Sequence, residues 1–405
     1  MFAPVLSALS YVAPFLFVLL LVVTVHELGH FTAARVFKVA IERFSVGFGR
    51  AIFKHRDRSG VEWRVGWIPL GGYVMFAGDE NIASVPDQND LDALKADIRA
   101  REGPGAERKY LPFKPLWQRA IVAAAGPGAN FLLAIAIFSV LFATLGEMQI
   151  LPRIGSVVPG SPAAAAGFQA GDLVLSADGR GVSSFEQLHD LVAFRAGEPI
   201  AFTVSRAGRT LALTAAPRSV VVDDPIAGSE PQGQIGIRPS TSPADLIHHR
   251  YGPLEAVGAG AARTWDVIST TVTYLTRLVE GKQSARELRS FIGIAQASHQ
   301  VVVEGARGEH GLGAQSLWGF VNLINMAAVL SVSIGFANLM PIPVLDGGHL
   351  LFYAYEAVAR RPVAAAVQMA SYRVGLALLV GLMLFATTND LLRINFFHFL
   401  GGPFS

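Results

Sequence analysis

The sequence predicts a polytopic α-helical membrane protein, with four transmembrane helices carrying one inserted soluble α+β domain. Three observations point there. Of 405 residues, 52% are hydrophobic and only 16% charged, against roughly a quarter charged in soluble domains. Four apolar stretches reach or approach the ~20 residues that cross a bilayer. Between the second and third lies a long segment of ordinary soluble composition.

The first span runs from about Val12 to Phe37 and is uncharged from Val12 to Val25. It lacks the basic start of a signal peptide and is read as a retained helix. The second is Ala120 to Leu145 and the third Leu317 to Leu345, both uncharged. The fourth, Val374 to Asn389, is shorter and borrows apolar flanks. Lys and Arg set the orientation. None precedes the first span, eight fall between Arg35 and Arg64, and Arg360, Arg361 and Arg373 separate the last two spans. These loops are expected in the cytoplasm of a bacterial inner-membrane, multi-pass protein. The termini and the segment from about Glu147 to Ser316 are expected in the periplasm. A net charge of +2 gives no case for nucleic acid. The absence of cysteine excludes disulfides and thiolate-held metals.

Near the cytoplasmic end of the first span stands His26-Glu27-Leu28-Gly29-His30. Ionisable groups inside a membrane are costly and functional by default. On a helix, residues four apart share one face, about 6 Å from each other. His26 and His30 so placed can hold one Zn²⁺, with Glu27 beside them as a proton acceptor for water. A tetrahedral site then lacks a third protein donor. Asp346, ending the third uncharged run at the same depth, is the favoured candidate, because two neutral imidazoles gain most from an anionic partner. His349 is the rival. Gly126-Pro127-Gly128, Pro341 and Pro343 break the spans, either to line a cavity or as plain kinks.

In the loop after the first span, Val61 to Ile68 partly alternates as strands do, and Gly71-Gly72 reads as a turn. Asp79 to Glu107 is polar, with some helix expected. In the soluble segment, Ile154 to Val158, Leu173 to Leu175, Ile200 to Ser205 and Leu211 to Ala215 read as strands. Ala163 to Gly167 and Ser184 to Arg195 read as helices. Ser219 to Ile237 is linker-like. Arg263 to Val279 has apolar residues at helical spacing, suited either to the outer membrane surface or to packing on the soluble domain.

Two resemblances follow. The order Pro159-Gly160-Ser161-Pro162 … Ala170-Gly171-Asp172 resembles bacterial PDZ domains, which implies peptide binding between a strand and a helix; a domain that only guards access sterically is the alternative. The pairing of His26–His30 with Asn338 to His349, together with Phe44–Arg50, Trp67–Glu80 and Trp117–Ala134, resembles the site-2 proteases, more closely their bacterial regulator-of-sigma-E branch. That resemblance implies a zinc-dependent intramembrane endopeptidase with one Zn²⁺ per chain on His26, His30 and Asp346, and Glu27 as general base. It also implies a membrane-reentrant β-hairpin around Gly71, Gly72, Tyr73 and Val74, and substrate contacts from that hairpin and Asn338. Ser333 replaces an Asn found in some relatives, and Phe291-Ile292-Gly293 departs from their usual Gly-Pro turn. Implied partners are single-span membrane proteins such as trimmed anti-sigma factors, signal-peptide remnants, the lipid bilayer, and a peptide C-terminus at the PDZ domain.

The expected organisation is a polytopic α-helical membrane protein with four transmembrane helices, a membrane-reentrant β-hairpin and one inserted extracytoplasmic PDZ (α+β) domain. Its segments are 1–38 (first span), 39–118 (loop and hairpin), 119–146 (second span), 150–218 (PDZ), 219–315 (linker and amphipathic helix), 316–346 (third span) and 372–395 (fourth). A proteolytically inactive PDZ scaffold and a metal transporter are the rival readings. The complete His/Glu/His/Asp set argues against the first, and the single depth of its members against the second.

Overall fold

The structure is a computed structural model describing residues 3–78, 88–224, 228–282, 285, 290–306 and 312–393. His310 and His398 lie outside these, as does part of the polar stretch after Gly78. The chain divides into two compact units, one of Met1–Phe138, Gly260–Thr271 and Leu288–Ser405, the other of Ser139–Ala259 and Val272–Glu287. Four helices are long and apolar enough to cross a membrane: Val12–Val36, Leu116–Leu145, Leu317–Asn338 and Ala365–Leu392.

Helix α1 (Ala3–Val36) ends at Lys38, which has positive φ, and Lys114 Nζ donates to the freed Phe37 carbonyl at 2.7 Å. Strands β1 (Ile41–Arg56) and β2 (Glu62–Phe76) follow. Their turn is not at Gly71-Gly72. It is made by Asp57, whose Oδ1 accepts from Ser59 N (2.9 Å), Ser59 Oγ (2.6 Å) and Val61 N (3.0 Å), and whose Oδ2 accepts from Trp63 Nε1 at 3.1 Å. These bonds, the Ser59 hydroxyl first, hold the Asp57 carboxyl down at about 2. Gly71 and Gly72 instead lie inside β2. Both strands are folded over: Ala51 to Arg56 pairs back along Gly66 to Glu62, while Arg43 to Val46 pairs with Glu62 to Val65 and also with Met75 to Gly72. The root of this sheet packs on α1, with Phe31 edge-on to Phe44 and Trp63 at 5.5 and 5.1 Å. Its far part leaves Ile52, Phe53, Trp67, Ile68 and Leu70 exposed. Helix α2 (Gln88–Glu102) precedes α3 (Leu116–Leu145).

The second unit contains β3 (Glu147–Ile150), β4 (Ile154–Val157), α4 (Pro162–Ala165), β5 (Leu173–Ala177), β6 (Arg180–Gly181), α5 (Phe185–Ala193), β7 (Ile200–Arg206) and β8 (Arg209–Ala215). Ser161 and Ser184 cap α4 and α5 through side-chain oxygens, each at 3.2 Å. Sheet order is β6-β5-β7-β8. Pairing continues past residue 218. Strands β9 (Arg218–Asp224) and β10 (Gly228–Gln234) form a hairpin, and β11 (Ile237–Pro239) pairs with β4. Ile235 is buried with Ile154, Val174, Leu188 and Phe202. The linker-like segment therefore completes the core of this unit. Strand β12 (Leu246–His249) pairs with β3. Helix α6 (Pro253–Val279) carries exposed Leu254 and Trp265. At its C-terminal end, Arg277 donates to Phe194 O (2.5 Å) and Glu198 (2.7 Å), so that end packs on the domain.

Asp172 is fully buried and forked by Arg206 at 2.7 Å through both oxygens, with Gln169 N–H at 2.9 Å. Burial alone would raise its pKa; the guanidinium and amide outweigh that and hold it below the usual carboxylate range. Asp172→Ala is expected to destabilise this unit by about 1.5–3 kcal/mol, the typical contribution of hydrogen bonds to a charged group, because it removes the acceptor of Arg206 and of the Gln169 N–H. The sign of the linkage is that of a depressed carboxyl. Its stabilisation is present above the unfolded value of about 3.9 and lost on further acidification. Hydrogen exchange across residues 154–206 in the full-length protein checks both.

The first unit closes with α7 (Phe291–Ala306), α8 (Leu312–Asn338), α9 (Asp346–Ala359) and α10 (Ala365–Arg393). The expected third span to Leu345 is too long. Helix α8 stops at Asn338 because Pro341 lacks an N–H and forces the preceding residue out of helical geometry. The fourth helix begins earlier than Val374, at Ala365. Val18 and Val22 of α1 pack on Leu323 and Ala327 of α8.

Candidate metal centre

Three donors converge in the first unit. His26 and His30 project from one face of α1, their Nε2 atoms 3.2 Å apart. Asp346 opens α9, and its Oδ2 lies 3.2 Å from His26 Nε2 and 3.4 Å from His30 Nε2. Of the residues described, these form the group able to hold a metal. The helix start favours a carboxylate at Asp346, and the break after α8 turns the chain so that Asp346 meets α1.

The atoms fit a metal rather than a hydrogen-bonded cluster. His30 Nδ1 is 2.8 Å from the Val122 carbonyl, which can only accept, so in a neutral ring the proton sits there and Nε2 carries a lone pair. Asp346 Oδ2 is buried without a hydrogen-bond donor. Lone pairs facing one another need a cation between them. The three separations also match the edge of a tetrahedron about 3.3 Å long, set by zinc–ligand bonds of about 2.0–2.1 Å.

The walls are close. Gly126 of α3 packs directly on the imidazoles; a Cβ there would strike His30 Nε2 and stand 2.8 Å from His26 Nε2. Gly126→Ala is thus expected to expel the metal although it favours the helix by about 1 kcal/mol. Elemental analysis of purified protein checks this, and stoichiometric zinc in that variant would refute the crowding argument. Arg119 of α3 reaches Glu356 of α9 at 2.5 Å and lies over Tyr353 at 5.1 Å, tying to α3 the helix that carries Asp346.

The other expected site residues divide. Glu27 is outside the donor set and half-buried. Its carboxylate accepts the Val74 N–H, and its Cγ would lie 3.1 Å from a Cβ on Gly72. Among the described residues, Gly72 to Phe76 pairs with β1 alone, and it borders α1 at Glu27. Tyr73 OH accepts from Arg43 Nη1 at 3.4 Å, away from the donors. Asn338 ends α8 with Nδ2 3.5 Å from His26 Nε2, at the rim of the triad. The rival ligand His349 faces Tyr372 OH at 3.4 Å and is not among the three donors. Ser333 spends its hydroxyl on Val329 O at 3.0 Å, within its own helix. Sequence reasoning passed over Asn130, wholly buried with its amide 3.3 Å from His26 Nδ1. The signal was a lone carboxamide in an apolar span.

The family model for peptidase family M50 matches residues 14–382. The chain is 51% identical over 393 residues to metalloprotease MmpA of Caulobacter vibrioides, covering 96% of this chain and 97% of that one. It is 42% identical to a protein of Rhizobium meliloti named as a zinc metalloprotease, over 95% and 98% of the two chains. A crystal structure of a PDZ domain from a Listeria monocytogenes SdrC-like protein aligns at 20% identity. It covers 22% of this chain and 84% of that one with a TM-score of 0.18, too low to bear on the fold.

Proposed function

The chain belongs to peptidase family M50 and is an integral-membrane zinc metalloprotease; from that premise we propose that it cuts peptide bonds inside the lipid bilayer. One observation carries this reading. Two donors, His26 and His30, lie on a membrane-length helix, and the third, Asp346, opens the short helix that follows another such span, with Glu27 beside them. One Zn²⁺ per chain would be held by His26, His30 and Asp346. Bound there, it supplies a Lewis acid that polarises the scissile carbonyl and makes water a nucleophile near neutral pH. Glu27 takes the proton of the attacking water and delivers it to the leaving amine. The Val74 N–H holds that carboxylate in place.

A transmembrane helix hides its amides, so the substrate must enter extended. The free edge of Gly72 to Phe76 can add such a segment as a strand, beside Glu27. Asn338, at the rim, can hold its backbone. The exposed Ile52, Phe53, Trp67, Ile68 and Leu70 suit a hairpin that dips into lipid, the reentrant element. Charge bias supports a reading with this machinery on the cytoplasmic side of the inner membrane, and the termini and PDZ domain in the periplasm. Substrates are single-span proteins already trimmed by another protease, such as anti-sigma factors, and signal-peptide remnants. The PDZ groove binds a peptide C-terminus or screens substrates by size.

The test is reconstitution in liposomes with a single-span reporter. Chelation should abolish cleavage, zinc should restore it, and mass spectrometry should map the cut within the apolar segment. Cleavage outside the span, or turnover that survives complete zinc removal, overturns the proposal.

A further inference from the structure

We propose that Asn130 is a positioning residue for the metal: its side-chain oxygen accepts the Nδ1–H of His26 and so aims that ring's Nε2 lone pair at the other two donors. The inference rests on the zinc reading of the triad. His26 Nε2 stands 3.2 Å from both His30 Nε2 and Asp346 Oδ2. To serve as a donor, that nitrogen must be bare, so the ring proton belongs on Nδ1. The group facing Nδ1 is the Asn130 amide, 3.3 Å away. An NH2 there would set donor against donor. The two ends of a carboxamide are isosteric, and their assignment follows from the hydrogen-bond network. Asn130 Oδ1 is otherwise buried with no partner. Presenting Oδ1 to His26 is the arrangement that agrees with metal binding.

The surroundings fix this side chain. Ser331 Oγ of α8 donates to the Asn130 backbone carbonyl at 2.9 Å. A Cβ built on Gly335 would lie 3.1 Å from Asn130 Cβ, so α8 leaves little room for another rotamer. The same face of α3 serves the second ring. Val122, eight residues earlier, receives the His30 Nδ1 proton at 2.8 Å. Gly126, midway between them, brings that face close enough for both bonds. Helix α3 thus contributes no ligand yet sets the tautomer of two. Outer partners of this kind alter metal affinity by about 10–100-fold.

The experiment measures zinc affinity, by competition with a chromophoric chelator, on full-length protein in detergent. Wild type is compared with Asn130→Asp, Asn130→Leu and Asn130→Ala. The proposal expects Asp, which keeps an acceptor, to bind within a few-fold of wild type, and both Leu and Ala to bind about 10–100-fold more weakly. A packing role predicts a different order, with Leu near wild type and Ala worst. Leu binding like wild type, or Asp losing as much affinity as Ala, overturns the proposal. Should Leu fail to fold, the Asp and Ala pair decides alone. Wild type without measurable zinc affinity would instead remove the metal reading itself, a separate outcome.

Discussion

Glu27→Gln is expected to retain zinc and lose cleavage. The substitution preserves shape and still offers an oxygen to the Val74 N–H, so the local packing of α1 on Gly72 survives. Glu27 is not one of the three donors, so the metal keeps its ligands. What disappears is a group that can accept the proton of water and return it to an amine. General-base catalysis contributes about 10²–10⁴-fold, and the rate should fall by that much. Zinc per chain and conversion of a single-span reporter, measured on one preparation, check the two halves separately. Near wild-type turnover would remove Glu27 from the mechanism. Loss of zinc would instead make it a ligand and require the donor set to be redrawn.

The donors of this centre were readable because lipid makes polar groups conspicuous. His26, Glu27 and His30 interrupt an apolar run at one helical spacing, and Asp346 ends another at matching depth. Asn130 carried the same signal but was not used, since a carboxamide has no charge and has no spacing partner in its own span. Gly71-Gly72 misled for a different reason. Glycine marks turns, but it also marks places where backbone must pass close to another element, and Gly72 lies against Glu27. The true turn was signalled by Asp57, Ser59 and Gly60. The third span was extended too far because hydropathy ignores backbone chemistry. Leu339 to Leu345 is as apolar as the helix before it, yet its prolines cannot continue the ladder. The last strand of the soluble unit is hard to read from sequence because a separate hairpin, β9–β10, precedes it. Composition averaged over Ser219 to Ile237 hid the buried Ile235.

Asp346→Ala is expected to empty the site. Two imidazoles on one helix turn hold zinc weakly, since metal-bound imidazoles bring no negative charge to offset that of the ion. The carboxylate would contribute the anionic donor and, with zinc bound, would link α9 to α1. Its removal should weaken zinc binding by more than the roughly 10–100-fold typical of an outer-shell loss, and cleavage should vanish with the metal. His349 cannot take over without a rearrangement, because its ring pairs with Tyr372 and lies on the next turn of α9. His349→Ala should therefore keep zinc. The comparison of the two variants separates the donors directly. If Asp346→Ala binds zinc stoichiometrically and His349→Ala does not, the third ligand is His349, and the Oδ2 atom facing the two imidazoles has no metal to hold. Asp346→Asn adds the electrostatic half of the argument. It keeps an oxygen at the same place but removes the charge, so affinity intermediate between wild type and alanine would show that charge, beyond position, is what the two histidines require from α9.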